Sequence, residues 1–186
     1  MPPAPAFVVP ALPLAGRARR LSALIYEGLL LTAIIFIAAF VALPLVTPGH
    51  AGTVDTLAIP GLPQRVALFC MLFTVLAWYS VASWAGGRRS LPMKTWRLRL
   101  LMADGRPVTR KAAMLRFLAT WIGPALAVTA YALLRPWGLG AQAVWLLAFN
   151  FLWTYVDREQ QFLHDRIAGT RLVQDAPHPP AVRPAA

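Results

Sequence analysis

Cysteine, acid and formal charge are all scarce in this chain. Cys70 is its one cysteine, so no internal disulfide forms, and no metal-ligand spacing surrounds it. The acids number seven among 186 residues, with no pair at a fixed helical spacing. His50, His164 and His178 stand far apart and form no zinc pattern. A Ser/His/Asp arrangement, a phosphate-cradling glycine loop and any other cofactor motif are missing too, which argues against a hydrolase or transferase. His164-Asp165 alone is too slight a signal for catalysis. Charged residues make up only 13% and hydrophobic ones 58%, whereas soluble domains carry about 25% charged residues. A soluble fold of this size has nowhere to hide so much apolar surface, so lipid is the natural solvent.

The apolar residues fall into four long runs, predicting membrane spans at about 21–43, 66–85, 113–134 and 141–156. The first three are each long enough for a helix to cross a hydrocarbon core of about 30 Å; the fourth is short. Residues 1–16 are rich in Pro and Ala and uncharged. Lacking the basic start of a signal peptide, they read as a disordered N-terminal tail. Residues 174–186 read as a disordered C-terminal tail. Between spans one and two, the segment 44–63 has no Lys or Arg and only Asp55 as a formal charge.

The net charge of +11 invites a nucleic-acid reading, but its placement argues against one. Arg17, Arg19 and Arg20 precede span one, and nine cations from Arg88 to Arg116 lie between spans two and three or at their inner ends. Arg158, Arg166, Arg171 and Arg183 follow span four, while the two opposite segments hold only Arg65 and Arg135. By the positive-inside rule both termini are cytoplasmic. The basic loop then faces anionic lipid headgroups, and nucleic acid is not an expected partner.

Within that loop, Thr95-Trp96-Arg97-Leu98-Arg99-Leu100 alternates with period two, as a half-buried strand does. Asp104-Gly105 is a turn signal, and Thr109 is placed to cap the next helix. Arg110 and Lys111 in its first turn oppose the helix dipole, so that turn belongs at the lipid phosphates. In the tail, Thr170–Val173 is a second strand able to pair with the first. The expected fold is therefore an all-α membrane bundle of about four helices with a small cytoplasmic strand pair.

Glu27 is the most informative residue. It lies about 10 Å along the helix from Arg20, at 1.5 Å per residue, and two turns put both on one face. A carboxylate within a span is costly unless paired, hydrated or protonated. It reads either as a cation or proton site or as a structural ion pair, with Arg20 or a group from another segment as partner. Asn150 is the other costly group within a span and reads as helix glue or cavity lining. Asp165 is placed to accept hydrogen bonds from an arginine of the basic loop or from Arg20.

Three segments carry a resemblance. Arg20-Leu21-Ser22-Ala23-Leu24-Ile25-Tyr26-Glu27 opens span one. Met93-Lys94-Thr95-Trp96-Arg97-Leu98-Arg99-Leu100 follows span two, trailed by Asp104-Gly105 and Arg116. His164-Asp165-Arg166-Ile167-Ala168-Gly169-Thr170-Arg171-Leu172-Val173 closes the chain. In this order the pattern resembles the RDD family of small bacterial membrane proteins, covering about 17–173 as one domain. The family's arginine and two aspartates fall on Arg20, Glu27 and Asp165, Glu27 departing from the usual aspartate by one methylene. The resemblance implies a multi-pass protein of the bacterial inner membrane and suggests ion or solute transport. Two readings follow: a transporter coupling cation and proton movement through its acids, which in so small a chain requires a homo-oligomer, or a non-enzymatic accessory or scaffold protein whose basic face binds anionic lipid or a partner protein.

Overall fold

A computed structural model describes residues 13–46 and 61–175. In chain order it has α1 (Arg17–Val46), α2 (Leu62–Trp84), α3 (Leu91–Thr95), β1 (Leu98–Met102), α4 (Arg110–Thr120), α5 (Ile122–Leu134), α6 (Phe149–Leu152), α7 (Leu163–Ala168) and β2 (Thr170–Gln174). Among the described residues three helical stretches are long and apolar enough to cross a membrane: Arg17–Ala42, Leu62–Gly87 and Arg110–Trp137. They match the first three expected spans, the first ending one residue earlier than expected. The expectations for 1–12, 47–60 and 176–186 lie outside the described residues.

The expected span over 141–156 takes a different form. Gly140–Ala148 is a nine-residue 3-10 helix, followed by the single turn of α6 and a further 3-10 turn at Trp153–Tyr155. The segment runs antiparallel to α5. A Cβ on Gly140 would sit 3.1 Å from the Tyr131 ring, and one on Gly123 would meet the Leu147 carbonyl oxygen at 2.9 Å. A 3-10 helix rises about 2.0 Å per residue against 1.5 Å for an α-helix. Nine residues therefore cover about 18 Å, nearly the length of the thirteen-residue α5. Stretching lets a short segment stay beside a longer partner, at the cost of poorer hydrogen bonds.

The third apolar run is broken between Thr120 and Ile122. Pro124 has no N–H, so the Thr120 carbonyl loses its helical donor. Asn150 replaces it: Nδ2 donates to the Thr120 carbonyl at 2.9 Å and to that of Ala119 at 3.2 Å. Asn150 thus ties the returning segment to the break. Replacing Asn150 with Leu is expected to cost about 1–2 kcal/mol in thermal unfolding in detergent. The loss should shrink in a Pro124→Ala background, where the missing N–H returns; an equal loss in both backgrounds would reject this role.

Beneath the helices lies the expected strand pair. β1 and β2 are antiparallel, with Leu98 opposite Gln174 and Met102 opposite Thr170. The period-two alternation holds, because Leu98 and Leu100 are fully buried while Arg99 is partly exposed. The residues before Leu98 depart from it: Thr95 ends α3 and Trp96 caps it. An isolated strand pair is marginal. This one gains by packing Leu98, Leu100 and Leu172 into a core with Trp84, Met93, Val108 and Phe117.

The described residues at the inner edges of the two expected tails, 13–16 and 174–175, take part in the fold. Leu14 bridges Val173, and the Ala15 N–H donates to the Leu172 carbonyl at 3.1 Å. Residues 13–15 thereby satisfy backbone groups along the second edge of β2. At the other end, Asp175 bonds Arg89 at 2.6 Å and Arg99 at 3.4 Å. The turn at Asp104-Gly105 forms as expected, with Gly105 at φ 83. The Thr109 side chain caps α4 by accepting from the Ala112 N–H.

Candidate functional site

Three helices bring charge to one place. α1 carries Arg20 and Glu27, α4 carries Arg116, and α7 carries His164 and Asp165. Ser90, just before α3, supplies a hydroxyl. α7 is only six residues long and ends on Gly169 at φ 63. That left-handed turn is natural to glycine, and it swings the chain into β2 so that Thr170 faces back onto Asp165.

Asp165 and Arg116 form a buried ion pair, Nε to Oδ1 at 2.7 Å, with side chains 2% and 8% exposed. The Thr170 hydroxyl donates to the same Oδ1 at 3.1 Å. The Arg116 guanidinium also stacks over the Trp84 ring at 4.2 Å. His164 is next to this pair, its Nε2 3.3 Å from Arg116 Nη2. A guanidinium only donates, so Nε2 accepts and Nδ1 carries the proton. Burial pushes the imidazole down to about 4, with Arg116 adding to the effect against Asp165. Burial alone would raise the Asp165 carboxyl; Arg116, His164 and the hydrogen bonds outweigh it and hold the carboxyl below the usual range.

Glu27 is not paired with Arg20. Its Oε2 accepts from the Ser90 hydroxyl at 3.0 Å, and its Oε1 is buried without a partner. The Trp84 indole N–H comes near this carboxylate but falls outside hydrogen-bond geometry. Arg20 is 3% exposed, its guanidinium over the Phe162 ring at 5.6 Å. Phe162 in turn stacks on His164 at 5.5 Å. Arg20, Glu27, Arg116 and His164 all line one cavity of about 360 Å³, walled by Trp84, Phe117, Trp121, Phe151 and Phe162.

Of the residues singled out in the sequence, Arg20, Glu27 and Asp165 therefore converge, Asp165 through Arg116. Asn150 lies away from the cavity at the break after α4. Arg116 belongs to the basic cluster from which Asp165 is expected to accept, and the structure singles it out among those cations. A signal for it exists: Ala112, Ala113, Arg116 and Phe117 share the buried stripe of α4, an odd place for an unpaired arginine. Ser90 and His164 had no comparable signal. Among the described residues, no three His, Cys, Asp or Glu side chains are grouped to hold a metal ion.

Comparison with curated proteins and with solved structures returns no match. A family model described as the RDD family matches residues 14–169, a range that contains α1, the strand-forming loop and α7. The chain, with its apolar helices and its buried acid and arginine cluster, belongs to the RDD family.

Proposed function

We propose that the chain is a non-enzymatic, multi-pass protein of the bacterial inner membrane that exchanges a cation for protons at Glu27. The observation that carries this reading is the free Oε1 of Glu27 on the cavity lining. Arg116 is already matched by Asp165, and Ser90 occupies only one oxygen of Glu27. A carboxylate so placed takes a proton or a cation, and the competition couples the two. A structural ion pair would have closed on Arg20 instead.

In this reading four segments cross, with both termini cytoplasmic. The returning segment from Gly140 to Tyr155 supports a fourth crossing, since its mixed 3-10 and α geometry spans about 30 Å. Its Asn150 meets the chain at Ala119 and Thr120, beyond the far end of α5. Sixteen of the 18 cations then face the cytoplasm, and the site lies at the inner end of the bundle. The most apolar window of α1 is 0% buried within the chain, which favours packing against a second copy as a homo-oligomer.

Purified protein in liposomes is expected to show cation-dependent proton flux that Glu27→Gln abolishes. Flux that is absent, or unchanged in Glu27→Gln, would remove this reading. A second reading, an accessory protein seated on anionic lipid, is favoured by Arg110 and Lys111 at the start of α4, where phosphates would offset their conflict with the helix dipole. It predicts that Arg110→Gln with Lys111→Gln loses co-purified anionic lipid while flux persists.

A further inference from the structure

Eight buried side-chain polar atoms among the described residues have no hydrogen-bond partner, and five of them belong to residues lining the cavity: Arg20 Nε, Glu27 Oε1, Trp84 Nε1, Trp121 Nε1 and His164 Nδ1. Buried polar atoms are nearly always partnered, so five on one lining define what a ligand must offer. They include a guanidinium nitrogen of Arg20 and a carboxylate oxygen of Glu27. The formal charges at the site, Arg20 and Arg116 against Glu27 and Asp165, balance. A simple cation bound at Glu27 would leave the site with excess positive charge next to Arg20. An inorganic cation also prefers several oxygen ligands, whereas the walls here are largely apolar.

We propose that the cavity binds a zwitterion with an apolar body, its ammonium on Glu27 and its carboxylate or phosphate on Arg20. This rests on the exchange reading above and names the cation: it is the ammonium group that competes with the proton for Glu27. Adding a zwitterion keeps the site neutral. The aromatic walls of Trp84, Trp121 and Phe162 cover the methylene body, and aromatic faces also favour an ammonium group. The volume of about 360 Å³ lies in the range of small-molecule sites. Arg20 and Glu27 are separated by about 10 Å along α1 at 1.5 Å per residue, so the two charges of the ligand are separated by a spacer rather than adjacent. A soluble amino acid and a zwitterionic lipid headgroup share this chemistry.

The test is calorimetric binding to the full chain in nanodiscs of phosphatidylglycerol, using ω-aminobutanoate, ω-aminohexanoate and ω-aminooctanoate, with hexylamine and hexanoate as single-charge controls. The longer zwitterions are expected to bind about tenfold or more tighter than either control. Glu27→Gln should remove the advantage over hexanoate, and Arg20→Gln the advantage over hexylamine. Phosphatidylethanolamine in the nanodisc that displaces the zwitterion identifies a headgroup source; lack of displacement identifies a soluble one. Hexylamine binding as tightly as ω-aminohexanoate overturns the proposal, as does no binding of any zwitterion. The wild-type comparison decides even if Arg20→Gln fails to fold. Sodium-driven proton flux lost in Glu27→Gln, together with no zwitterion binding, would leave the exchange reading standing and remove this one alone. Zwitterion binding without proton flux would remove the exchange reading, and with it the coupling assigned here to the ammonium.

Discussion

Asp165→Asn is expected to destabilise the protein by about 3–5 kcal/mol, the cost of leaving a buried charge uncompensated. The reason lies in what surrounds Arg116. Its guanidinium is 8% exposed and bonded to Asp165 at 2.7 Å, and its other contacts are the Trp84 face and the neutral His164. None of these supplies a second negative charge at bonding distance. Asparagine keeps an acceptor for the N–H but not the charge. Arg116→Met should be about as costly, since it strands Asp165. The double variant Arg116→Met with Asp165→Asn is expected to lose distinctly less than the sum of the single losses, because neither charge is then left alone. Thermal unfolding in detergent measures all three, and strict additivity would show that the pair is not coupled. The consequence is structural: this pair fastens α7, and through it β2, to the side of α4.

Stability is expected to fall between about pH 6.5 and pH 4, by about 3 kcal/mol. The group responsible is His164, which burial holds at about 4 against an ordinary value of 6.5. An unfolded chain binds the proton at the higher value, so the fold is favoured in full above about pH 6.5. As the pH drops, the unfolded state gains protons that the native state refuses until about 4. Arg116 at 3.3 Å makes a charged His164 costly there. Asp165 acts in a separate window. Its carboxyl is held below the ordinary 3.8, so its contribution is full above that value and is lost only as the pH falls further. His164→Gln keeps an acceptor for Arg116 and removes the titration. Urea or thermal midpoints should then be nearly flat from pH 6.5 to 4 in the variant, and an unchanged slope would assign the effect elsewhere.

Much of this fold was legible in linear form. Period-two alternation marks Leu98 and Leu100 as the buried side of a strand because a strand's side chains must alternate. Thr109 declares the start of α4 because a free helix N-terminus needs an acceptor. Runs of some twenty apolar residues declare helices because lipid offers no partner to a free backbone. The last segment misled for the same reason: its apolar composition records that it is buried or in lipid, but not its rise per residue. That rise depends on close packing of Gly140 and Gly123 against their neighbours, a property of two segments together. Asn150 stands out in the sequence as expensive, yet one of its acceptors, the Thr120 carbonyl, is free only because Pro124, a distant residue in sequence, has no N–H to offer it.

The cavity returns the same division. By itself the sequence determined that the chain is apolar and helical, that its cations are sorted to particular segments, and that Glu27 and Asn150 are out of place in such surroundings. Those follow from composition and local periodicity, which solvent imposes residue by residue. Only the tertiary structure decided which charges meet. Arg116 takes Asp165, Ser90 takes one oxygen of Glu27, and Arg20 rests on Phe162, so that one carboxylate oxygen and one guanidinium nitrogen remain without a hydrogen-bond partner on a shared wall. Pairing is settled by distances of about 3 Å between elements far apart in sequence, and at that range a difference of a single turn decides whether an acid is a structural tie or a binding group.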